Sequence, residues 1–331
     1  MRSPEFPQNL RWFNLPADSA FVATPAKEAA LAKAGSPQLL MKDLRGNHAV
    51  LVDFWTYSCV NCIRTLPHLK SWHERYAKFG LVIVGVHTPE FEFEKNVENV
   101  SRAVKEFGIE YPVVMDNDYQ IWSLYSNDAW PRKFLINKDG QIVYDHAGEG
   151  AYAVTEEAIQ GALKEIEPKV ELPAVSDEEG DGGSTSFGAA QDKSLVAGKV
   201  CFPATPETYL GTMRGRAGKI WNFSGDWKIY PEYIEHKRRT ENFADYLSLN
   251  FEAVEVNLVM GAEGERPARV RLELDGKFLR ELEVREYKMY NLVNQKDFGG
   301  GPLAASPKGE LKIFAKDQGL RAYAFTFGGC V

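Results

Sequence analysis

The chain has 331 residues, 44% of them hydrophobic and 26% charged, enough for two soluble domains since one core usually serves about 100–200 residues. A formal net charge of −7 excludes the basic stripe that a nucleic-acid surface needs, so no nucleic-acid partner is expected. No apolar run approaches membrane-spanning length; the longest, such as Leu81-Val82-Ile83-Val84, read as buried strands.

The opening, Met1-Arg2-Ser3-Pro4-Glu5-Phe6, lacks the apolar stretch of a signal peptide and reads as an expression-vector remnant, which leaves open a native targeting or membrane segment upstream. Ala49 to Phe54 is apolar and β-prone, hence a strand. Ile63, Leu66, Leu69, Tyr76 and Phe79 then keep helical spacing up to Gly80. Leu81 to Val86 is a second buried strand, and Val97, Val100, Val104 and Phe107 mark a helix stopped by Gly108. Pro112 to Met115 is a third strand, and Lys133–Ile136 with Gln141–Tyr144 forms a hairpin across Lys138-Asp139-Gly140. A last helix carries Ile159, Ala162, Leu163 and Ile166, with Thr155 as expected N-cap and Glu156 and Glu157 near its positive end. The order βαβαββα over residues 8–167 indicates an α/β domain.

Residues 168–186 hold Pro168, Pro173, the run Asp177-Glu178-Glu179 and a Gly/Ser-rich stretch, read as a solvated, flexible linker. From 187 to 331 helical periodicity gives way to alternation: Val270, Leu272 and Leu274 before the turn Asp275-Gly276, then Leu311, Ile313 and Ala315, then Tyr323, Phe325 and Phe327. A phase slip near Ala253-Val254 suggests a bulge. Many short strands with turn signals indicate an all-β sandwich.

The chemistry concentrates at Cys59-Val60-Asn61-Cys62, where strand gives way to helix. Free N–H groups and the helix dipole stabilise a thiolate there, so Cys59 is the expected nucleophile and Cys62, one turn in, the buried resolving thiol. A zinc site would need a second such pair, and His68 and His73 are five apart on the same helix, so they project in different directions. No metal and no cofactor beyond the Cys59–Cys62 disulfide is expected.

The stretch Phe54-Trp55-Thr56-Tyr57-Ser58-Cys59-Val60-Asn61-Cys62-Ile63-Arg64-Thr65-Leu66-Pro67 resembles the thioredoxin superfamily, in its TlpA/ResA-like branch, and most nearly the soluble C-terminal region of DipZ-type proteins. In these a CcdA-like membrane domain precedes a thioredoxin domain. Gly85-Val86-His87-Thr88-Pro89-Glu90-Phe91, Gly148-Glu149-Gly150-Ala151-Tyr152 and the ending Ala322-Tyr323-Ala324-Phe325-Thr326-Phe327-Gly328 extend the likeness over both halves. The resemblance implies a thioredoxin fold followed by a jelly-roll, carbohydrate-binding-module-like sandwich. It implies Asp53 as a buried acid exchanging a proton with Cys62, the alternative being a carboxylate paired with a nearby lysine. Pro131 fits the family's cis-proline, where backbone pairs with a substrate strand; Trp130 before it is larger than usual and hints at a selective groove. Pro67 matches a helix-kinking proline. Glu90 matches an active-site glutamate, with a solvated loop carboxylate equally open. Tyr57 is assigned to substrate binding, with Trp55 shaping the rim or core beside it.

In the second half Trp221, Trp227, Tyr230 and Tyr233 are candidates for stacking a glycan ring, with core or edge packing the alternative. Cys201 and Cys330 bracket the domain and suggest a structural disulfide between its first and last strands; two free buried thiols are the other reading. The expected activity is that of a periplasmic or otherwise extracytoplasmic thiol–disulfide oxidoreductase, with native membrane tethering left open. It would reduce disulfide-bearing client proteins with electrons from a CcdA-type membrane protein. The competing readings are an envelope glycan- or protein-binding module with the cysteines as accessory, and a thiol peroxidase. The direction of electron flow depends on a reduction potential that Val60-Asn61 and the stability of the thiolate tune.

Overall fold

The structure, a computed structural model, describes residues 1–15, 39–176, 202, 204–215, 220–264, 266–299, 303 and 305–329. The chain divides into two units, Met1–Gln191 and Asp192–Val331. Among the described residues no helix is long and apolar enough to cross a membrane.

The first unit is organised by a strand that water never reaches. Its sheet comprises β1 (Arg11–Phe13), β2 (Ala49–Trp55), β3 (Leu81–His87), β4 (Val113–Met115), β5 (Arg132–Ile136) and β6 (Ile142–Ala147), in the order β1-β4-β3-β2-β5-β6. All seven residues of β2 are buried, as befits a central strand covered on both faces. Asp53 is the one polar exception. β2, β3 and β4 run parallel, while β5 lies antiparallel to β2 and β6 to β5.

The helices are α1 (Met41–Leu44), α2 (Val60–Tyr76), α3 (Val97–Glu106), α4 (Gln120–Leu124) and α5 (Tyr152–Ile166). Right-handed crossovers β2-α2-β3 and β3-α3-β4 step the same way along the sheet and so place α2 and α3 on one face. There they and α5 enclose Leu51, Trp55, Leu66, Leu69, Val104 and Ile159. The other face buries Phe54 with Met41, Ile121 and Tyr125.

Three short elements escape periodicity, because β1, α1 and α4 have only 3, 4 and 5 residues. The opening segment, expected to lie outside the domain, packs on it: Arg2 bridges Gln141, and the buried Phe6 ring lies 5.9 Å from Trp12 and 6.3 Å from Tyr125. One large ring suffices to dock residues that form no apolar run. Thr155 is not an N-cap. The helix starts at Tyr152 after Ala151 (φ 51), Thr155 Oγ1 donates to the Ala151 carbonyl at 2.7 Å, and the Tyr152 ring stacks on His68 at 3.5 Å. Residues 171–176 of the expected linker lie against the domain although Glu171, Ala174 and Ser176 stay exposed. Gln160 donates to the Pro173 carbonyl, Ser176 N–H donates to the buried Glu156 carboxylate, and Arg75 bonds Glu156, Ala174 and Ser176. Residues 177–186 of the expected linker lie outside the described residues.

The second unit has strands β7 (Thr208–Tyr209), β8 (Trp221–Ser224), β9 (Trp227–Ile229), β10 (Ile234–His236), β11 (Asp245–Glu252), β12 (Glu255–Ala262), β13 (Ala268–Leu274), β14 (Lys277–Val284), β15 (Lys288–Val293), β16 (Lys308–Ala315) and β17 (Leu320–Gly328). They form two sheets, β15-β12-β17-β10-β9 with β7 on β17, and β14-β13-β16-β11-β8. Leu249, Leu272 and Ile313 from one sheet share a core with Leu258, Phe325 and Ile234 from the other, making a β-sandwich. The Asp275-Gly276 turn joins β13 to β14 with φ of 51° and 74°, the left-handed pair that a tight hairpin needs. The phase slip at Ala253-Val254 is not a bulge within one strand. It is the point where the chain leaves β11 in one sheet for β12 in the other. Trp221 and Trp227 are buried in the core, so neither belongs to a sugar platform. Cys201 and Cys330 lie outside the described residues.

Candidate active site

β2 ends in Thr56-Tyr57-Ser58, all three buried, and hands the chain to Cys59 at the N-cap of α2. The Cys59 sulfur accepts the Cys62 backbone N–H at 3.3 Å, the geometry in which a helix N-terminus holds a sulfur anion. Cys59 is partly exposed and Cys62 is buried, and both are free thiols. Burial first, then the hydrogen bond and charge of Cys59, push the Cys62 thiol well above its ordinary range, and the Asp53 charge adds to this. The two sulfurs therefore differ in access, one suited to attack and the other to resolution.

Register puts Asp53 beside Gly85 on β3 and Lys133 on β5. Burial raises the Asp53 carboxyl to about 7, with the Lys133 ammonium opposing. Its Oδ1 accepts no hydrogen bond among the described residues. Lys133 is itself fully buried, with Nζ 3.4 Å from the Gly148 carbonyl. Gly85 is required by a close approach, since a Cβ there would sit 3.0 Å from Trp55 Nε1 and 3.3 Å from the Tyr111 ring. Tyr111 closes the group: its hydroxyl is pushed up by burial, then by the charges of Asp53 and Cys62. A base near neutrality thus lies within electrostatic reach of a buried thiol that needs one. Periodicity marks Lys133 and Tyr111 only as strand and loop residues. Their role follows from register, which one strand's sequence does not contain.

The Trp130–Pro131 peptide is cis, and the Trp130 carbonyl lies 4.0 Å from Cys59 Sγ. Trp130 Nε1 donates to the Thr88 carbonyl at 3.0 Å, its ring packs 4.3 Å from Trp122, and Tyr119 donates to the Pro89 carbonyl. Tyr57 is a correction to the substrate-binding assignment: it is buried, stacked on His87 at 5.6 Å and edge-on to Phe93 at 6.1 Å. An aromatic between a strand end and a helix start is drawn into the core and supports the loop from below. His87, lowered to about 3 by burial, stays neutral, and its Nε2 lies 3.3 Å from Thr56 Oγ1.

Glu90 lies on the loop after β3, half-buried, its backbone N–H bonded to Glu94 at 2.6 Å. The carboxylate brought to the C-x-x-C loop is Glu94, fully buried and accepting the Ser58 hydroxyl at 2.6 Å. The sequence reading passed over it because Glu92 and Glu94 look like ordinary loop acids.

Residues 22–145 match the AhpC/TSA family, and residues 187–328 match the thioredoxin like C-terminal domain. Protein DipZ of Mycobacterium bovis is 38% identical over 191 residues, 58% of this chain and 24% of DipZ. The chain therefore spans about a quarter of that relative's length. Thiol-disulfide oxidoreductase ResA of Bacillus anthracis is 30% identical over 128 residues, 39% of this chain and 68% of ResA. Among solved structures, a thiol:disulfide interchange protein of the thioredoxin family from Chlorobium tepidum is 25% identical, with a TM-score of 0.34 over 39% of this chain and 88% of that one. With a C-x-x-C pair at the head of a helix and two thirds of ResA matched, the chain belongs to the thioredoxin-like family of ResA-type thiol–disulfide oxidoreductases.

Proposed function

We propose that the protein is an extracytoplasmic reductase of client-protein disulfides, supplied with electrons by a CcdA-type membrane protein. The observation that carries the reading is the asymmetry of the cysteine pair, with Cys59 accessible at the helix cap and Cys62 buried within reach of a carboxyl raised to about 7. The Cys59 thiolate attacks one sulfur of the client disulfide, forming a mixed disulfide and releasing the other sulfur as a thiolate that takes up a proton. Asp53 then accepts the Cys62 proton, and the Cys62 thiolate attacks Cys59 Sγ. The second client sulfur leaves and is protonated, two electrons have passed to the client, and Cys59–Cys62 is oxidised. The membrane donor returns the pair to the dithiol by the same exchange in reverse.

The cis-Pro131 segment, with Trp130 and its neighbour Trp122, forms the client-facing rim, where an aromatic pair favours apolar residues beside the client cysteine. Resemblance to DipZ-type proteins supports the donor and the compartment. The domains of 8–167 and 187–331 about the linker 168–186 are extended at the first domain by the opening segment and by residues 171–176, which pack on it. In the sandwich, the half-buried pair Tyr230 and Tyr233, stacked at 4.8 Å, is the face for a glycan ligand. The test is trapping with Cys62→Ser. Mixed disulfides with client proteins should accumulate through Cys59, and the wild type should reduce insulin. Equal trapping by Cys59→Ser, or no Cys59-dependent insulin reduction, overturns the reading.

A further inference from the structure

Four donors converge on one buried carboxylate behind the active-site loop. Glu94 Oε1 accepts the Ser58 hydroxyl at 2.6 Å and the Ser58 N–H at 3.3 Å. Its Oε2 accepts the N–H groups of Glu90 at 2.6 Å and Phe91 at 3.0 Å. Glu94 thus fastens the loop that ends in Cys59 to the loop that follows β3. We propose that Glu94 is a positioning residue for the exchange reaction: fastened beneath Ser58, it holds the Cys59 loop, and its own protonation sets how firmly that loop is held. This deepens the reductase reading and rests on Cys59 being the nucleophile.

An ionised carboxylate accepts all four hydrogen bonds; once protonated, one oxygen becomes a donor and a bond to either loop is lost. Burial, then the Glu90 charge, raises Glu94 to about 7 against the Ser58, Thr56 and Phe91 hydrogen bonds. Both forms are therefore populated at neutral pH. Losing a bond to Ser58 frees the loop whose next residue is the partly exposed Cys59. The other groups around it do not cancel this effect. His87, which holds Thr56, is neutral; Asp116, which accepts from Thr88, is raised by burial. Lys95 is paired with Glu92 at 2.7 Å, and the first turn of α2 carries no acid. Protonating Glu94 loosens the clasp, whereas ionising it closes the clasp and restrains the Cys59 loop.

The test is alkylation of the reduced full chain by iodoacetamide against pH, with the labelled cysteine identified by peptide mapping. Glu94→Gln should label Cys59 faster than wild type near neutral pH by about three- to thirty-fold, as expected when a bond of the clasp is lost. The gap should close toward about pH 5, where Glu94 is itself neutral. With the label on Cys59, a ratio of one throughout, or a change independent of pH as a purely structural role would give, overturns the role of Glu94 and leaves the reductase reading standing. Label reaching Cys62 first overturns that reading and this proposal with it. Should Glu94→Gln not fold, Ser58→Ala decides. Losing the hydroxyl that favours ionised Glu94 should move the onset of restraint to higher pH, and an unmoved onset overturns the proposal.

Discussion

At the scale of single residues, the site places an acid where acids are costly. Asp53 is buried and raised from 3.8 to about 7. Between those values the native state holds a proton that the unfolded chain has released, so stability falls as pH rises from about 4 to about 7. The loss approaches about 4 kcal/mol above that range. Glu94, raised from 4.5 to about 7, adds a loss of the same sign. Asp53→Asn should therefore match the wild type in stability near pH 4 and exceed it near pH 8, less the cost of an unpaired amide, about 1–3 kcal/mol. Its resolution of a mixed disulfide should slow by about a hundred-fold. Urea unfolding across this pH range, and stopped-flow release of a preformed mixed disulfide, measure the two effects. A variant with wild-type resolution rates would remove Asp53 from the proton path, whatever its stability.

At the scale of elements, the long pieces of both domains were legible because burial on both faces writes apolar runs and amphipathic helices write a 3.6-residue period. β2, α2, β3 and the β13–β14 hairpin are of this kind. What was not legible depends on contacts between distant elements: Lys133 meets Asp53 only through strand register, and Glu94 meets Ser58 only when two loops close on each other. The sandwich hides a similar cluster. His236 Nε2 lies 3.0 Å from Asp245 Oδ2 and its Nδ1 2.9 Å from the Asp317 carbonyl, while Arg238 grips Asp245 through Nε and Nη2 at 2.8 and 2.5 Å. Gly225 (φ 101) leaves room for it, since a Cβ there would fall 2.1 Å from Asp245 Cγ. The Arg238 guanidinium holds the Asp245 carboxyl well below the usual range. Its stabilisation is therefore complete above about pH 4 and lost as pH falls further. Asp245→Asn should lower stability at pH 7 by about 1–2 kcal/mol, as expected for a charge-assisted network whose arginine is half exposed. Urea unfolding compared at pH 7 and pH 3 should show that deficit shrinking in acid; a constant deficit would assign the cost to packing.

At the scale of the whole molecule, these local facts sort by unit. Asp53 and Glu94, raised by burial, belong to the first unit; Asp245 and Asp317, lowered by Arg238 and Arg269, belong to the second. Each unit also closes its own apolar cluster, around Leu51 and Trp55 in one case and around Leu258 and Phe325 in the other. A redox domain needs buried acids that can take up a proton, and that need weakens it as pH rises through neutrality. A sandwich clasped by ion pairs between its acids and partly exposed arginines bears no such cost and weakens only in acid. Calorimetry of the reduced protein should accordingly resolve two transitions. Raising the pH from about 5 to about 8 should lower the midpoint of one of them by several degrees, since about 1 kcal/mol corresponds to roughly 2–4 °C in a domain of this size. Asp53→Asn and Glu94→Gln together should remove that fall and leave a rise up to about pH 6.5, because burial lowers His87, His48 and His73 and their neutral forms favour the native state as pH rises. The other transition should stay where it was, whereas Asp245→Asn should move only the other. A single transition, or two that move together with pH, would show that the units do not unfold on separate electrostatic grounds.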